Sequence, residues 1–154
     1  MISVIQNSSL VTLLGLEEAD PQEVDQLLNE MSDTISALAL TRLEEDMTLT
    51  EEERNNLKNL INFETNVQNF NIELQNKYPK LPQLIEEEAY IFKKTALVDQ
   101  LRTTKESIES SEELDNKEEL LKIIIAVNNL LETDKPVDDS EFESKWLIYL
   151  DSKI

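Results

Sequence analysis

The chain has no cysteine and no histidine among its 154 residues. The first absence removes disulfides, thiolate nucleophiles and cysteine-bound metal. The second removes the side chain that titrates near neutrality, the base of the usual catalytic triads and the commonest metal ligand. A single glycine, Gly15, leaves no glycine-rich loop to wrap a phosphate. With one glycine and four prolines the chain also lacks the turn residues that punctuate an all-β protein, so an all-α fold is expected. The longest uninterrupted apolar run, Ile123 to Val127, is far too short to span a bilayer. The first residues carry no basic stretch ahead of an apolar one, so no secretion signal is recognised and a cytoplasmic location is expected. Asn7-Ser8-Ser9 matches a glycosylation acceptor in form only, for the same reason.

Basic residues are scarce as well. There are 14 against 33 acids, a net charge of −19, and the imbalance is uneven. Residues 1–53 hold 13 acids and one base, Arg42, for a net of −12, which leaves −7 for residues 54–154. Such a surface repels phosphate backbones and anionic lipid, so neither direct nucleic-acid binding nor membrane binding is expected. A basic protein surface fits it better. The plainer reading, that acidity only keeps a helical protein soluble, stands beside that one.

What remains is a pattern of helices. Leu10, Leu13 and Leu14 follow helical spacing, with Ser8 or Ser9 as cap and Gly15 as stop. Asp20, Pro21 and Glu23 then supply an N-cap, a proline in the first turn and a capping-box glutamate. The stripe Val24, Leu28, Met31, Ile35, Leu38, widened by Leu27, predicts a helix over 21–45. Thr50 and Glu53 form a second box, opening a helix over 51–78 with Leu60, Phe63, Val67, Phe70, Leu74 and Tyr78 on one face. Pro79 and Pro82 end it and begin a helix over 82–109, whose stripe of Leu84, Ile85, Ile91, Phe92, Val98, Leu101 and Ile108 is interrupted by Glu88 and Lys105, so the helix is expected to be peripheral or exposed in its middle. A helix over 116–133 is apolar on most of its circumference from Leu120 to Leu131, which points to the centre of a bundle or a buried oligomer contact. The branched run Ile123 to Ile125 also suits a strand, but the flanking sequence favours helix. Asp134, Pro136 and Asp138 mark a loop, and Ser140 with Glu143 caps a last helix over 140–151.

Over its first 65 or so residues the chain resembles a family of uncharacterised acidic helical domains found chiefly in ultrasmall bacteria with reduced genomes. Carrying the resemblance are the apolar lead ending Leu14-Gly15-Leu16, the acidic proline-led helix start, the helix through Arg42-Leu43, and the second start at Leu49-Thr50-Glu51-Glu52-Glu53. The asparagine-rich stretch from Asn55 to Asn76 departs from that pattern. The resemblance implies a helical fold and a bacterial setting, and carries over no catalytic residue.

Carboxylates alone support few chemistries. Glu86, Glu87 and Glu88 suggest a di-metal bundle, but such sites also need histidines. The stretch from Asp134 to Lys145 fails as a calcium loop, with Asp139 where glycine is needed and Lys145 where a bidentate glutamate belongs. A carboxylate pair for glycoside chemistry has no distinguishing spacing here. No cofactor and no enzymatic activity are expected.

The expectation is one helical domain, 1–154, as a bundle of four to five main helices with a short N-terminal helix; a subdivision into an acidic hairpin, 1–48, and a bundle, 49–154, is the alternative. Its expected function is a non-enzymatic protein-interaction or assembly module, binding a basic partner or forming a homo-oligomer. A nucleic-acid-mimicking inhibitor of a DNA- or RNA-binding protein is the rival. Candidate partner-facing residues are the acids Glu17, Glu18, Glu44, Glu45 and Asp46, and the rings Phe142, Trp146 and Tyr149, which share one face of the last helix. For those rings a core role is the competing reading.

Overall fold

The computed structural model describes residues 2–46, 48–60, 78–112, 115–133 and 137–152. Among the described residues there are seven helices and no strand: α1 (Ser3–Asn7), α2 (Leu10–Leu14), α3 (Pro21–Asp46), α4 (Glu51–Leu60), α5 (Leu81–Ser110), α6 (Lys117–Glu132) and α7 (Asp139–Ser152). The all-α fold expected from glycine poverty is the one that forms. The main helices begin and end within one residue of the expected bounds wherever those bounds are described. The later part of the helix expected over 51–78, with Phe63, Val67, Phe70 and Leu74, lies outside the described residues, as does the loop at Asp134 and Pro136.

The chain forms two compact units. One is discontinuous, Met1–Glu18 with Lys93–Ile154; the other is continuous, Ala19–Phe92. Helix α5 contributes to both, and its buried residues follow two separate stripes. Leu81, Leu84 and Ile85 are buried in the continuous unit, and Leu97, Leu101 and Ile108 in the discontinuous one. The exposed middle expected of so sparse a stripe is found at Ile91, while Leu97, which the stripe passes over, lies inside. Ile91 is exposed and Leu97 is fully buried.

In the discontinuous unit, the joint around Gly15 is closed from both directions. Ser9 caps α2 by accepting the Thr12 N–H at 3.2 Å, and Gly15 ends the helix in the left-handed region at φ 64°. A helix leaves its last four carbonyls without partners of its own, here those of Val11, Thr12, Leu13 and Leu14. The Leu16 N–H donates to Val11 O at 2.8 Å and the Gly15 N–H to Thr12 O at 3.2 Å, the bond pair of a Schellman closure. Trp146 Nε1 donates to Leu13 O at 3.1 Å, and Gln100 Nε2 to Leu14 O at 2.9 Å. All four carbonyls are thus satisfied, two of them by side chains from α5 and α7. An L-residue other than asparagine or aspartate at position 15 would carry a left-handed penalty of about 1–2 kcal/mol.

Helices α6 and α7 pack together, and α1 packs on α7. Only one stripe of α6 is buried: Leu120, Ile124, Val127 and Leu131, at i, i+4, i+7 and i+11. The expectation of a place at the centre of a bundle is corrected here, because Ile125 on the opposite side is 46% exposed within the chain. The start of α7 is corrected too. Asp138, and not Ser140 with Glu143, provides the cap, its Oδ1 accepting the Ser140 N–H at 2.8 Å. An aspartate two residues ahead of that N–H reaches it first.

In the continuous unit, α3 buries Met31, Ile35, Ala39 and Leu43 along successive steps of four. Each residue turns the helix by about 100°, so that series drifts away from the line of sevens joining Met31 to Leu38. Leu38, expected inside, is 45% exposed. Helix α4 packs on α3, its start capped by Thr50, whose Oγ1 accepts the Glu53 N–H at 3.1 Å. Buried Tyr78 donates its hydroxyl to Glu53 Oε2 at 2.8 Å, tying the entry to α5 to that helix start.

Candidate interaction surface

The arginines of the continuous unit are engaged internally. Arg42 NH2 donates to Glu87 Oε2 at 2.6 Å and NH1 to Glu88 Oε1 at 3.1 Å, one guanidinium fork across two adjacent carboxylates. Glu88 is only 7% exposed, so the glutamate that looked like an interruption of the α5 stripe is a buried acceptor instead. Glu87 is held below the usual carboxylate range by its bond to Arg42, helped by Gln83, whose Nε2 donates to Oε1 at 3.0 Å. Arg54 pairs with Glu44.

With both arginines so placed, the first half of α3 carries acids that no basic side chain pairs among the described residues. Glu23, Asp25, Glu30 and Asp33 are all exposed, as is Asp20 at the cap, and none has an ion pair among the described residues. No lysine or arginine occurs before Arg42. Glu23, Glu30 and Asp33 lie seven and then three residues apart, which places them along one side of the helix with Gln26 between. At a rise of about 1.5 Å per residue the three span roughly 15 Å.

The candidate acids are distributed differently from one another. Glu17 and Glu18 are exposed in the turn between α2 and α3, and Glu45 is exposed near the end of α3. Glu44 is half-buried and taken by Arg54, so it is not free to meet a partner. Asp46 closes α3, and its side chain lies outside the described residues. In the sequence the strip of Glu23, Glu30 and Asp33 is masked by the capping role that Glu23 also fills. The absence of any base across the first 41 residues was the signal that could have exposed it.

Phe142, Trp146 and Tyr149 are brought together inside the discontinuous unit, at 0%, 4% and 1% exposure. As they stand they are core residues and present no ring to a partner. The Tyr149 hydroxyl donates to Gln100 Oε1 at 3.2 Å and shares a 3.2 Å contact with the Thr104 hydroxyl. Burial pushes its ionisation above the usual value of about 10, with the Thr104 bond opposing. The buried hydroxyl therefore holds its proton after the unfolded chain has lost it, so stability is full below pH ~10 and falls as pH rises further. Tyr149→Phe is expected to cost about 1 kcal/mol at neutral pH and to weaken that alkaline decline, checked by urea titrations across the range.

Among the described residues no group of acids is arranged to hold a metal ion, and no helix is long and apolar enough to cross a membrane. No protein-family model matches the chain, and no curated protein or solved structure is significantly similar to it.

Proposed function

We propose that this protein is a non-enzymatic helical interaction module that binds a basic protein surface through the exposed acids of α3. One observation carries the reading: Glu23, Glu30 and Asp33 line one side of a helix, and among the described residues no cation is paired to them. Exposed carboxylates of one sign raise the rate of encounter with a cationic partner and select against anionic ones. Apolar contacts supply the lasting affinity in such complexes, and Leu38, farther along α3, is an exposed apolar side chain on the same helix.

The same strip also supports the rival reading, because carboxylates spaced along a helix can stand in for phosphates. A single set of titrations separates the two. Fluorescent lysine-rich peptides are expected to bind the wild type and to lose about tenfold or more in affinity against Glu23→Lys/Glu30→Lys/Asp33→Lys, with the difference shrinking as salt screens the charges. Peptide binding that is indifferent to both charge reversal and salt would sink the proposal. Displacement of DNA from a basic DNA-binding protein by the wild type, but not by the triple variant, would favour mimicry.

A further inference from the structure

We propose that residues 2–16 are a docked helical ligand of the rest of their unit, and that a second copy of this chain can seat the same segment in trans. The contacts are those of a peptide in a groove. Asp139 Oδ1 accepts the Ser3 N–H at 2.9 Å, and Lys93 Nζ donates to Gln6 O at 3.2 Å. Trp146 and Gln100 take the carbonyls of Leu13 and Leu14. Four side chains from residues 93–154 thus hold four main-chain groups of the segment, from its first turn to its last.

Main-chain capture supplies affinity, and side-chain pockets add selectivity. Ile5, Leu10 and Leu13 are the apolar anchors of the segment, each essentially without exposure. The connection that follows, residues 17–19, is outside any helix and its cap, with Glu17 and Glu18 exposed, so it can open without unwinding α2 or α3. Every group that holds the segment would meet identical atoms on a second copy, which is the condition for an element to be exchanged between protomers. This exchange uses residues other than the acidic strip of α3 and does not rest on the reading given for it.

The chain's one tryptophan reports the seat directly, since Trp146 bonds the segment it would lose. In full-length Leu13→Asp the emission of Trp146 is expected to shift to the red as the segment leaves. Adding full-length Trp146→Phe, which brings an intact segment and no tryptophan, is expected to restore the blue emission and to give a two-chain complex by light scattering. Wild type should take up a labelled peptide of residues 1–18 at least about tenfold more weakly than Leu13→Asp does, because its own segment competes at an effective concentration near millimolar. No red shift in the variant, or a red shift that neither the second chain nor the peptide reverses, would overturn the proposal. If Leu13→Asp does not fold, a protease site inserted between Glu18 and Ala19 decides the matter. The cut segment should stay bound and exchange with labelled peptide; collapse of the cut protein, or a segment that never exchanges, would count as refutation.

Discussion

Trp146→Ala is expected to lower the unfolding free energy of the discontinuous unit by about 3–5 kcal/mol, the range for deleting a large buried ring from a core. The indole is nearly fully buried between Phe142 and Tyr149 on the inner side of α7, so its removal leaves a cavity that a helix cannot close by rotating one side chain. It also strips the Leu13 carbonyl of its donor at the end of α2. These two losses can be told apart. Trp146→Phe retains much of the volume but not the N–H, and leaving that carbonyl unmet is expected to cost about 1–3 kcal/mol. Urea titrations followed by far-ultraviolet circular dichroism should rank wild type above Trp146→Phe above Trp146→Ala. Equal stability of the phenylalanine variant and wild type would show that the hydrogen bond to Leu13 contributes nothing.

Arg42→Met is expected to destabilise the continuous unit by about 2–3 kcal/mol, because a carboxylate left buried without its donor carries most of its desolvation cost. Glu88 is that carboxylate, and Glu87 beside it adds like-charge repulsion once the guanidinium is gone. The Arg42 side chain is itself 37% exposed, which keeps the effect below that of breaking a fully buried pair. Arg42→Lys should recover only part of the loss, since a single ammonium cannot bridge two carboxylates as a fork does. The acid dependence has a definite sign. Glu87 is lowered in the folded chain, so its contribution is present above the ordinary glutamate value of about 4.3 and is lost as pH falls through the lowered one. The gap between wild type and Arg42→Met in chemical denaturation should therefore narrow in acid. A gap that stays constant with pH would mean that the variant suffers from packing alone.

Helix starts and stops were legible because they are encoded locally. The glycine that ends α2, the serine that caps it, and the Asp20-Pro21 entry to α3 each act within about a turn of their own positions. Which residues turn inward was less legible, because that depends on neighbours distant in sequence. Leu38 and Leu97 were misplaced for this reason, and so was the outer side of α6. Glu88 looked like a defect in an apolar stripe until Arg42, 46 residues away, was seen to meet it. The spacing alone groups the rings of α7, but only the structure shows that the last turn of α2 meets one of them, Leu13 O accepting from Trp146. The acidic strip on α3 was visible as a charge bias and not as a surface, since capping and exposure both use glutamate.

The bond between Trp146 and Leu13 joins residues 133 positions apart, and that between Ser3 and Asp139 joins residues 136 apart. During synthesis at about 5–20 residues per second, residues 2–16 emerge roughly 7–27 seconds before the helix that will receive them. For that interval Ile2, Ile5, Leu10, Leu13 and Leu14 are apolar side chains on a nascent chain with no completed core to enter. The continuous unit lies wholly between the two halves, so it can fold while the segment waits. Closing the discontinuous unit is thus the slow, late event, and the time in which an early segment finds the wrong copy is set by translation speed.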